Sequence, residues 1–170
     1  MRGGCNLYVL DANVFIGAYR GYYAFEVAPS FWNALVNLAS NSKICSIDRI
    51  QNEIINPKDK DPDKLHEWTT DNFKDYFEGT DAVDVLENYA LIQQWSFNNP
   101  QFTDAAKDEF ARNADAWLIA YAKAKGYTLV THEVYNPQMK KRILIPVVCE
   151  NFGVNYVNTF EMLKNLQVQF

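Results

Sequence analysis

Short apolar runs alternate with longer amphipathic segments along the chain. The runs Asn6–Leu10, Lys43–Ile47, Tyr127–Thr131 and Tyr156–Val157 have the length and composition of buried strands. Most segments between them carry apolar residues at steps of three and four, which is typical of helices packed on one face. Because short apolar strands that alternate with helices form parallel sheets covered on both faces, the pattern predicts an α/β fold with a central, mainly parallel sheet.

Capping and breaking residues mark the ends of several predicted helices. Pro29 opens a helix in its first turn, where a missing N–H costs nothing. Asp48, with Gln51 three residues later, has the pattern of an N-cap. Gly126 follows the helix Asn113–Lys125 at the position where a left-handed residue commonly ends a helix.

The middle of the chain is predicted to be mostly helical. Asn56–Asp63 is rich in Pro, Lys and Asp and is predicted to be a loop. A second helical segment, Val83–Ile92, precedes the break at Asn98-Asn99-Pro100, while Ile143–Val148 is apolar but contains Pro146. The first helical segment, which precedes Val83 in the sequence, is expected to be a single helix that carries Leu65, Trp68, Phe73, Tyr76 and Phe77.

Four carboxylates stand just after predicted strands or on helices expected to pack against the sheet. In open α/β sheets, ligands bind at the carboxyl ends of the strands. Asp11 taken alone is also a common helix N-cap. Clustered carboxylates repel one another unless a cation neutralises them, and oxygen ligands favour Mg²⁺ or Mn²⁺. The pattern therefore predicts a divalent metal site formed by Asp11, Glu53, Asp115 and Glu133.

These residues resemble the four acidic motifs of PIN-domain nucleases, whose fold is that of VapC-type toxins. Tyr8–Ile16, Glu53, Asn113–Ala120 and Thr131–Glu133 match the motifs in order, over about Leu7 to Val157. The resemblance implies one three-layer α/β/α domain over residues 1–170, with a helical insertion at about 60–100. It also implies an endoribonuclease dependent on Mg²⁺ or Mn²⁺, the toxin of a type II toxin–antitoxin module, with an RNA substrate, an antitoxin partner and a homodimeric state.

The resemblance also implies roles for individual residues. Glu133 stands where these nucleases more often have Asp. Asn13 and Thr131 match polar residues that orient the carboxylates. The metal-binding and catalytic roles are implied for Asp11, Glu53, Asp115 and Glu133.

The charge of the chain limits how it can bind nucleic acid. It has 16 Lys and Arg against 21 Asp and Glu, a formal net charge of −5 and a pI near 5.0. This balance excludes binding to phosphates by positive charge alone. Lys140, Lys141 and Arg142 form the densest basic run, which is either a solvated loop or a phosphate-contacting lip beside the metal site. Arg112 is a second candidate for a backbone contact, or for an ion pair with an acid.

The histidines and cysteines indicate no other catalytic chemistry. His66 is expected to face solvent, and His132 is either close to substrate or a packing residue. Cys5, Cys45 and Cys149 have no spacing typical of zinc or disulfides, which favours a reducing cytoplasm. No signal peptide is apparent, and no apolar stretch approaches the length needed to cross a bilayer.

Two other functions and one surface remain open. The chain is alternatively a catalytically inert PIN-like module that binds RNA or protein. A phosphotransferase or phosphatase of another α/β type is disfavoured, because Asn13 stands where a DxD mechanism needs its second Asp. An aromatic group near the first two helices belongs either to the core or to a partner surface, and comprises Tyr22, Tyr23, Phe25, Phe31 and Trp32.

Overall fold

The computed structural model describes residues 7–55 and 62–170, whose strands form one five-stranded sheet. Every neighbouring pair is parallel, in the order β3-β2-β1-β4-β5. This confirms the prediction of a three-layer α/β/α fold. The strands are β1 (Tyr8–Leu10), β2 (Ile44–Ile47), β3 (Phe77–Glu78), β4 (Thr128–Val130) and β5 (Tyr156–Val157).

Helices connect the strands and cover the sheet. A π-helical turn at Thr69–Phe73 and a 3₁₀ turn at Lys74–Tyr76 lie between the fourth α-helix and β3. The α-helices in the described part of the chain are α1 (Ala12–Arg20), α2 (Pro29–Ser40), α3 (Asp48–Ile54), α4 (Lys64–Trp68), α5 (Val83–Asn98), α6 (Asp104–Arg112), α7 (Asp115–Lys125), α8 (Ile145–Phe152) and α9 (Thr159–Asn165).

Strand β1 lies at the centre of the sheet and of the core. Tyr8, Val9 and Leu10 are all buried. Successive side chains of a strand point to opposite faces, so both faces of the sheet are covered at β1. Helix α7 packs on β2 and β4 and also contacts α5 and α8, while α2 packs on β2. This arrangement places the carboxyl ends of β1 and β4 side by side.

The predictions that Gly126 ends a helix and that Pro29 opens one agree with the structure. Gly126 ends α7 with a φ of 69°, a left-handed conformation that glycine adopts without steric cost. Pro29 and Pro146 lie in the first turns of α2 and α8, where a helix tolerates a missing N–H. The apolar run at Ile143–Val148 therefore leads into a helix.

The prediction of one helix from Leu65 to Phe77 is wrong. The helix changes pitch after Trp68, and Phe77 begins strand β3. Ser46 of β2 is in register with Phe77, so the open edge of β2 offers backbone partners that a local helix cannot use. The side chain of Phe77 also packs against Phe15 of α1. Tertiary pairing has overridden the local helical spacing.

Asp48 does not cap a helix, contrary to its sequence pattern. It is the first residue of α3, and its carboxylate accepts hydrogen bonds from the Thr80 hydroxyl at 2.8 Å and the Thr80 N–H at 3.3 Å. Thr80 follows β3 and competes successfully for the carboxylate because β3 runs beside β2. His66 is partly exposed, although its ring Nδ1 is buried.

The aromatic group near the first two helices divides between core and surface. Phe31 and Trp32 are buried, and Tyr22 is 88% exposed. Most of the predicted loop Asn56–Asp63 lies outside the described ranges, and so does Cys5. No helix in the two described ranges combines the length and apolar character needed to cross a membrane.

Candidate active site at the carboxyl edge of the sheet

Asp11 lies directly after β1 and points into the protein. It occupies the N-cap position of α1, but its side chain makes no capping hydrogen bond. One carboxylate oxygen, Oδ2, instead accepts a hydrogen bond from the Thr131 hydroxyl at 3.0 Å and from the Asn13 amide at 3.4 Å. Thr131 follows β4, the neighbour of β1, so the parallel register brings the two residues together. The capping interpretation of Asp11 therefore does not account for its side chain.

Burial makes Asp11 an unusual aspartate. Asp11 is only 3% exposed, and this burial raises the pKa of its carboxyl group to about 6. The hydrogen bond from Thr131 lowers this pKa, while the negative charges of Glu133 and Glu53 raise it. A carboxyl group in this setting attracts a cation, because a positive charge relieves both the burial and the repulsion.

Asp115 is the first residue of α7, two residues later than the predicted start of that helix. The amide of Asn113 donates to Asp115 Oδ2 at 3.3 Å, and the Asp115 N–H donates to Asn113 Oδ1 at 3.0 Å. Burial raises the pKa of Asp115 well above its usual range, and the charges of Asp11, Glu133 and Glu53 raise it further. The other three predicted acids therefore all oppose the ionisation of Asp115.

Glu53 projects from α3 at the exposed rim of this group. Its Oε1 accepts a hydrogen bond from the Ala114 N–H at 3.1 Å, immediately before α7. Partial burial raises the pKa of Glu53, and the bond from Ala114 opposes that rise. The contact joins α3 to the start of α7 and holds the glutamate beside Asp115.

Glu133 is held on both of its oxygens. Oε1 accepts a hydrogen bond from Arg142 Nη2 at 2.9 Å, and Oε2 accepts one from the Ile145 N–H at 2.6 Å at the start of α8. The Glu133 side chain is 7% exposed. Its backbone N–H donates to the Thr131 hydroxyl at 3.2 Å, which links it to Asp11. Helix N-termini stabilise negative charge, so α8 contributes to the position of Glu133.

The predicted basic residues divide between the site and its surroundings. Arg142 pairs with Glu133, and its charge lowers the pKa of Asp115. Lys140 and Lys141 are exposed and form no side-chain ion pair with any described residue. A run of three charges in the sequence therefore has only one member that contacts an acid of the site.

His132 lies outside this site. Its ring Nε2 is 2.8 Å from the Thr159 hydroxyl, and the ring packs edge-on against Phe160. Burial lowers the pKa of His132. These contacts agree with the packing interpretation of this histidine.

Sequence reasoning missed three residues around Glu53. Asn113 holds Asp115, while Arg49 and Trp117 line a cleft beside Glu53 together with Arg112. One signal was present: Arg49 precedes Glu53 by four residues, which places both on one face of a helix. No comparable signal in the sequence connects Trp117 with this cleft.

The donors at this site suit a hard cation. Asp11 and Asp115 offer carboxylate oxygens in a partly desolvated setting, and the charge of Asp11 contributes to the raised pKa of Asp115. Magnesium sites typically use one or two carboxylates with water and phosphate oxygens. Over residues 7–55 and 62–170, no group of three or more His, Cys, Asp or Glu side chains is arranged so that it could hold a metal ion. The acidic site, meaning Asp11, Glu53, Asp115 and Glu133, can therefore offer one ion at most two carboxylates, with water and phosphate oxygens as the remaining ligands.

The sheet order and the placement of the helices define an α/β protein with a PIN-like fold. The chain belongs to the DUF4411 family, described as a domain of unknown function, which matches residues 8–170. No curated protein matches the chain.

Two solved structures share this fold. One is VapBC2 from Rickettsia felis bound to a DNA fragment from their promoter, with 17% identity and a TM-score of 0.54 over 89% of this chain and 98% of that chain. The other is FitAcB from Neisseria gonorrhoeae, with 16% identity and a TM-score of 0.55 over 91% of this chain and 99% of that chain. At these identities the likeness concerns the fold.

Proposed function

We propose that this protein is a metal-dependent ribonuclease of the PIN type. The observation that carries the proposal is the placement of two pairs of acids from distant parts of the chain: Thr131 joins Asp11 to Glu133, and Glu53 bonds to Ala114 beside Asp115. Burial, and then the charges of the other three acids, raise the pKa of Asp115, and a bound divalent cation would offset both effects. The PIN-like fold of the structural neighbours supports the same function.

Asp11 and Asp115 would hold Mg²⁺ or Mn²⁺, while Glu53 would add negative charge at the rim of the site. Such an ion, when bound, lowers the pKa of water and stabilises the charge that develops on a phosphodiester. Glu133, whose oxygens are already engaged by Arg142 and Ile145, contributes negative charge to the site and assists from beside it.

The neighbours of the acids restrict how the carboxylates move. Thr131 holds one oxygen of Asp11, and Asn113 holds one oxygen of Asp115. Each aspartate therefore presents its other oxygen in a restricted direction. Positioning of this kind improves ligation, because less conformational freedom is lost on binding.

The direct test is RNA cleavage by the parent and by Asp11→Asn and Asp115→Asn, each in Mg²⁺ or Mn²⁺. We expect the parent to cleave a mixed-sequence RNA and each variant to lose at least a hundredfold in rate, of the order seen when one charged group is removed from a reacting centre. Asp75→Asn, a change at an exposed aspartate with no hydrogen bond to the site, is the matched control. Cleavage by both site variants at the parental rate contradicts the proposal.

A second candidate function is an inert PIN-like module that binds RNA or protein. The engagement of both Glu133 oxygens favours it, because a glutamate held by Arg142 and Ile145 is less free to bind a metal. Addition of Mn²⁺ separates the two functions. A nuclease is stabilised by the ion and cleaves RNA, whereas an inert module does neither.

Toxin action, an antitoxin partner and a homodimer belong to the same proposal. VapBC2 and FitAcB, which share the fold, are toxin–antitoxin complexes. We expect induced expression of the parent to arrest bacterial growth and Asp11→Asn to relieve the arrest. Measurement of the molar mass in solution tests the dimer. Normal growth with parental protein at equal abundance contradicts the toxin function.

A further inference from the structure

A cleft of about 240 Å³ lies between α3 and the end of α6, next to the acidic site. Two arginines from different helices, Arg49 and Arg112, line it. Glu53 lines the same cleft, so the two cations stand beside one acid of the proposed metal site. We call this the arginine cleft. In a chain with a net charge of −5, two arginines at one cleft require an explanation.

Arg49 is held in place before any ligand arrives. Its guanidinium carbon lies 4.2 Å from the centre of the Trp117 ring, and its Nε donates to the Thr80 hydroxyl at 3.3 Å. Nε is also 4.0 Å from Asp48 Oδ1. These contacts leave the two terminal nitrogens, Nη1 and Nη2, with no hydrogen-bond partner among the described residues. A guanidinium fixed through Nε presents a planar, two-pronged donor to the cleft.

Trp117 itself is closed to further stacking. Tyr89 stacks on it with ring centres 3.6 Å apart and planes 12° apart. Because Arg49 lies against the ring at 4.2 Å, the two partners must occupy opposite faces. A nucleobase therefore has no free face of Trp117 to stack on, and the indole serves as a support for Arg49.

Arg112 is anchored in a similar way. It is the last residue of α6, and its Nε donates to the Asp108 carbonyl oxygen at 3.1 Å. Its terminal nitrogens form no ion pair with a described residue. In both arginines Nε bonds to the protein, and the terminal N–H groups are left available to a ligand.

We propose that the arginine cleft binds a backbone phosphate of the RNA strand, next to the phosphate that is cut. The inference rests on the proposed ribonuclease function and adds a phosphate subsite to it. Two anchored guanidiniums match the oxygens of a phosphodiester, to which arginine forms paired hydrogen bonds. Contacts to phosphate position a strand without reading its sequence. The cleft therefore sets which bond of the strand lies over the acids.

Position favours RNA over a carboxylate of a protein partner. The cleft shares Glu53 and the Asn113–Ala114 turn with the acidic site, and Ala114 donates to Glu53. An RNA strand bound at the acids would therefore lie next to the arginine cleft. Repulsion between the acids and the strand is offset by the nearby guanidiniums, which gives the otherwise acidic protein a local positive surface.

The test measures binding of a fluorescent single-stranded oligoribonucleotide at several salt concentrations in Mg²⁺. An Asp11→Asn background prevents cleavage during the measurement. We expect Arg49→Gln and Arg112→Gln each to weaken binding about fivefold to tenfold and to reduce the slope of log affinity against log salt by about 0.7. Arg20→Gln, at an exposed arginine at the far end of α1, is the matched control and is expected to leave both quantities unchanged.

A second variant separates the contact from folding. Arg49→Lys keeps the charge and loses the paired geometry, so we expect weaker binding with a salt slope close to that of the parent. Thermal unfolding and circular dichroism show whether each variant is folded. A folded Arg49→Gln and a folded Arg112→Gln that bind RNA with the parental affinity and slope overturn the inference, as does a parent that binds no RNA.

The outcome is distinguishable from failure of the proposed function. If the parent binds RNA through the two arginines but does not cleave it, the phosphate subsite stands and the nuclease function is rejected. If a double Arg49→Gln, Arg112→Gln variant cleaves RNA as well as the parent does, the nuclease function stands and the phosphate subsite is rejected. Loss of binding to a protein partner alone, with RNA binding intact, assigns the cleft to that partner and overturns the inference.

Discussion

The hydroxyl of Thr131, which follows β4, donates at 3.0 Å to Oδ2 of Asp11, which follows the neighbouring strand β1. The same hydroxyl accepts the N–H of Glu133 at 3.2 Å. One buried side chain therefore joins two acids of the site, and it orients Asp11 while lowering its pKa. The parallel pairing of β1 and β4 makes this possible, because it brings residues 120 positions apart to the same edge.

Replacement of Thr131 by Val tests this link. We expect Thr131→Val to lower the free energy of unfolding by about 1–3 kcal/mol, because a buried acceptor and the Glu133 N–H lose their partner. The pKa of Asp11 should rise further. Urea unfolding measures the stability, and carbon-detected NMR titration measures the pKa. Thr131→Ser retains the hydroxyl and is the control; equal stability of all three proteins contradicts the link.

The pH dependence of stability tests the burial of Asp11. Its pKa is raised from 3.8 to about 6, so the folded protein holds this proton more tightly than the unfolded chain does. The contribution of Asp11 is then most favourable below about pH 4 and is lost as the pH rises through 6. In the absence of metal, Asp11→Asn should increase the free energy of unfolding at pH 8 by about 1–3 kcal/mol and change it little at pH 4.

Urea unfolding at pH 4, 5, 6 and 8, with a chelator present, measures this effect. Asp75→Asn serves as the control, because its side chain is exposed and outside the site. If Asp11→Asn is less stable than the parent at pH 8, the negative charge of Asp11 is compensated within the protein.

Divalent metal should have the opposite dependence on pH. We expect Mn²⁺ at a hundred times its dissociation constant to stabilise the parent by about 2.7 kcal/mol at pH 8. The effect should shrink below pH 6, where Asp11 takes up a proton that competes with the metal, and the raised pKa of Asp115 acts in the same direction. Thermal unfolding with and without Mn²⁺ measures it. Full stabilisation of a double Asp11→Asn, Asp115→Asn variant would place the ion elsewhere.

Glu133 provides a test that separates a structural role from a chemical one. We expect Glu133→Ala to cost about 1–3 kcal/mol of stability, because the Ile145 N–H loses its acceptor and α8 loses a negative charge at its start. Glu133→Gln keeps an acceptor oxygen and should cost less. Urea unfolding and RNA cleavage are measured on both variants. A Gln variant that is stable but does not cleave shows that the charge of Glu133 serves the reaction.

The sequence allowed four of the five strands in the described residues, β1, β2, β4 and β5, to be predicted for one physical reason. A strand covered on both faces must be apolar throughout, so Tyr8–Leu10 stands out from the polar residues that follow. Asp11 comes at once after that run, at the edge where parallel strands present their carboxyl ends. Gly126 was recognisable in the same local way, because a left-handed residue ends α7.

Other features depend on contacts between distant segments. Phe77 has helical spacing with its neighbours, but the open edge of β2 supplies backbone partners that make it a strand. Asp48 has an N-cap pattern, but Thr80 takes its carboxylate. In both cases a partner from another part of the chain changed the local outcome.

The sequence by itself determined the α/β class, the order of the acids and their places after strands or on helices, because periodicity and capping act over a few residues. Only the tertiary structure decided that Glu133 is held by Arg142 and the start of α8, and that Arg49 lies on Trp117 beside Glu53. Those contacts join segments far apart in sequence, and their geometry follows from how the helices pack on the sheet.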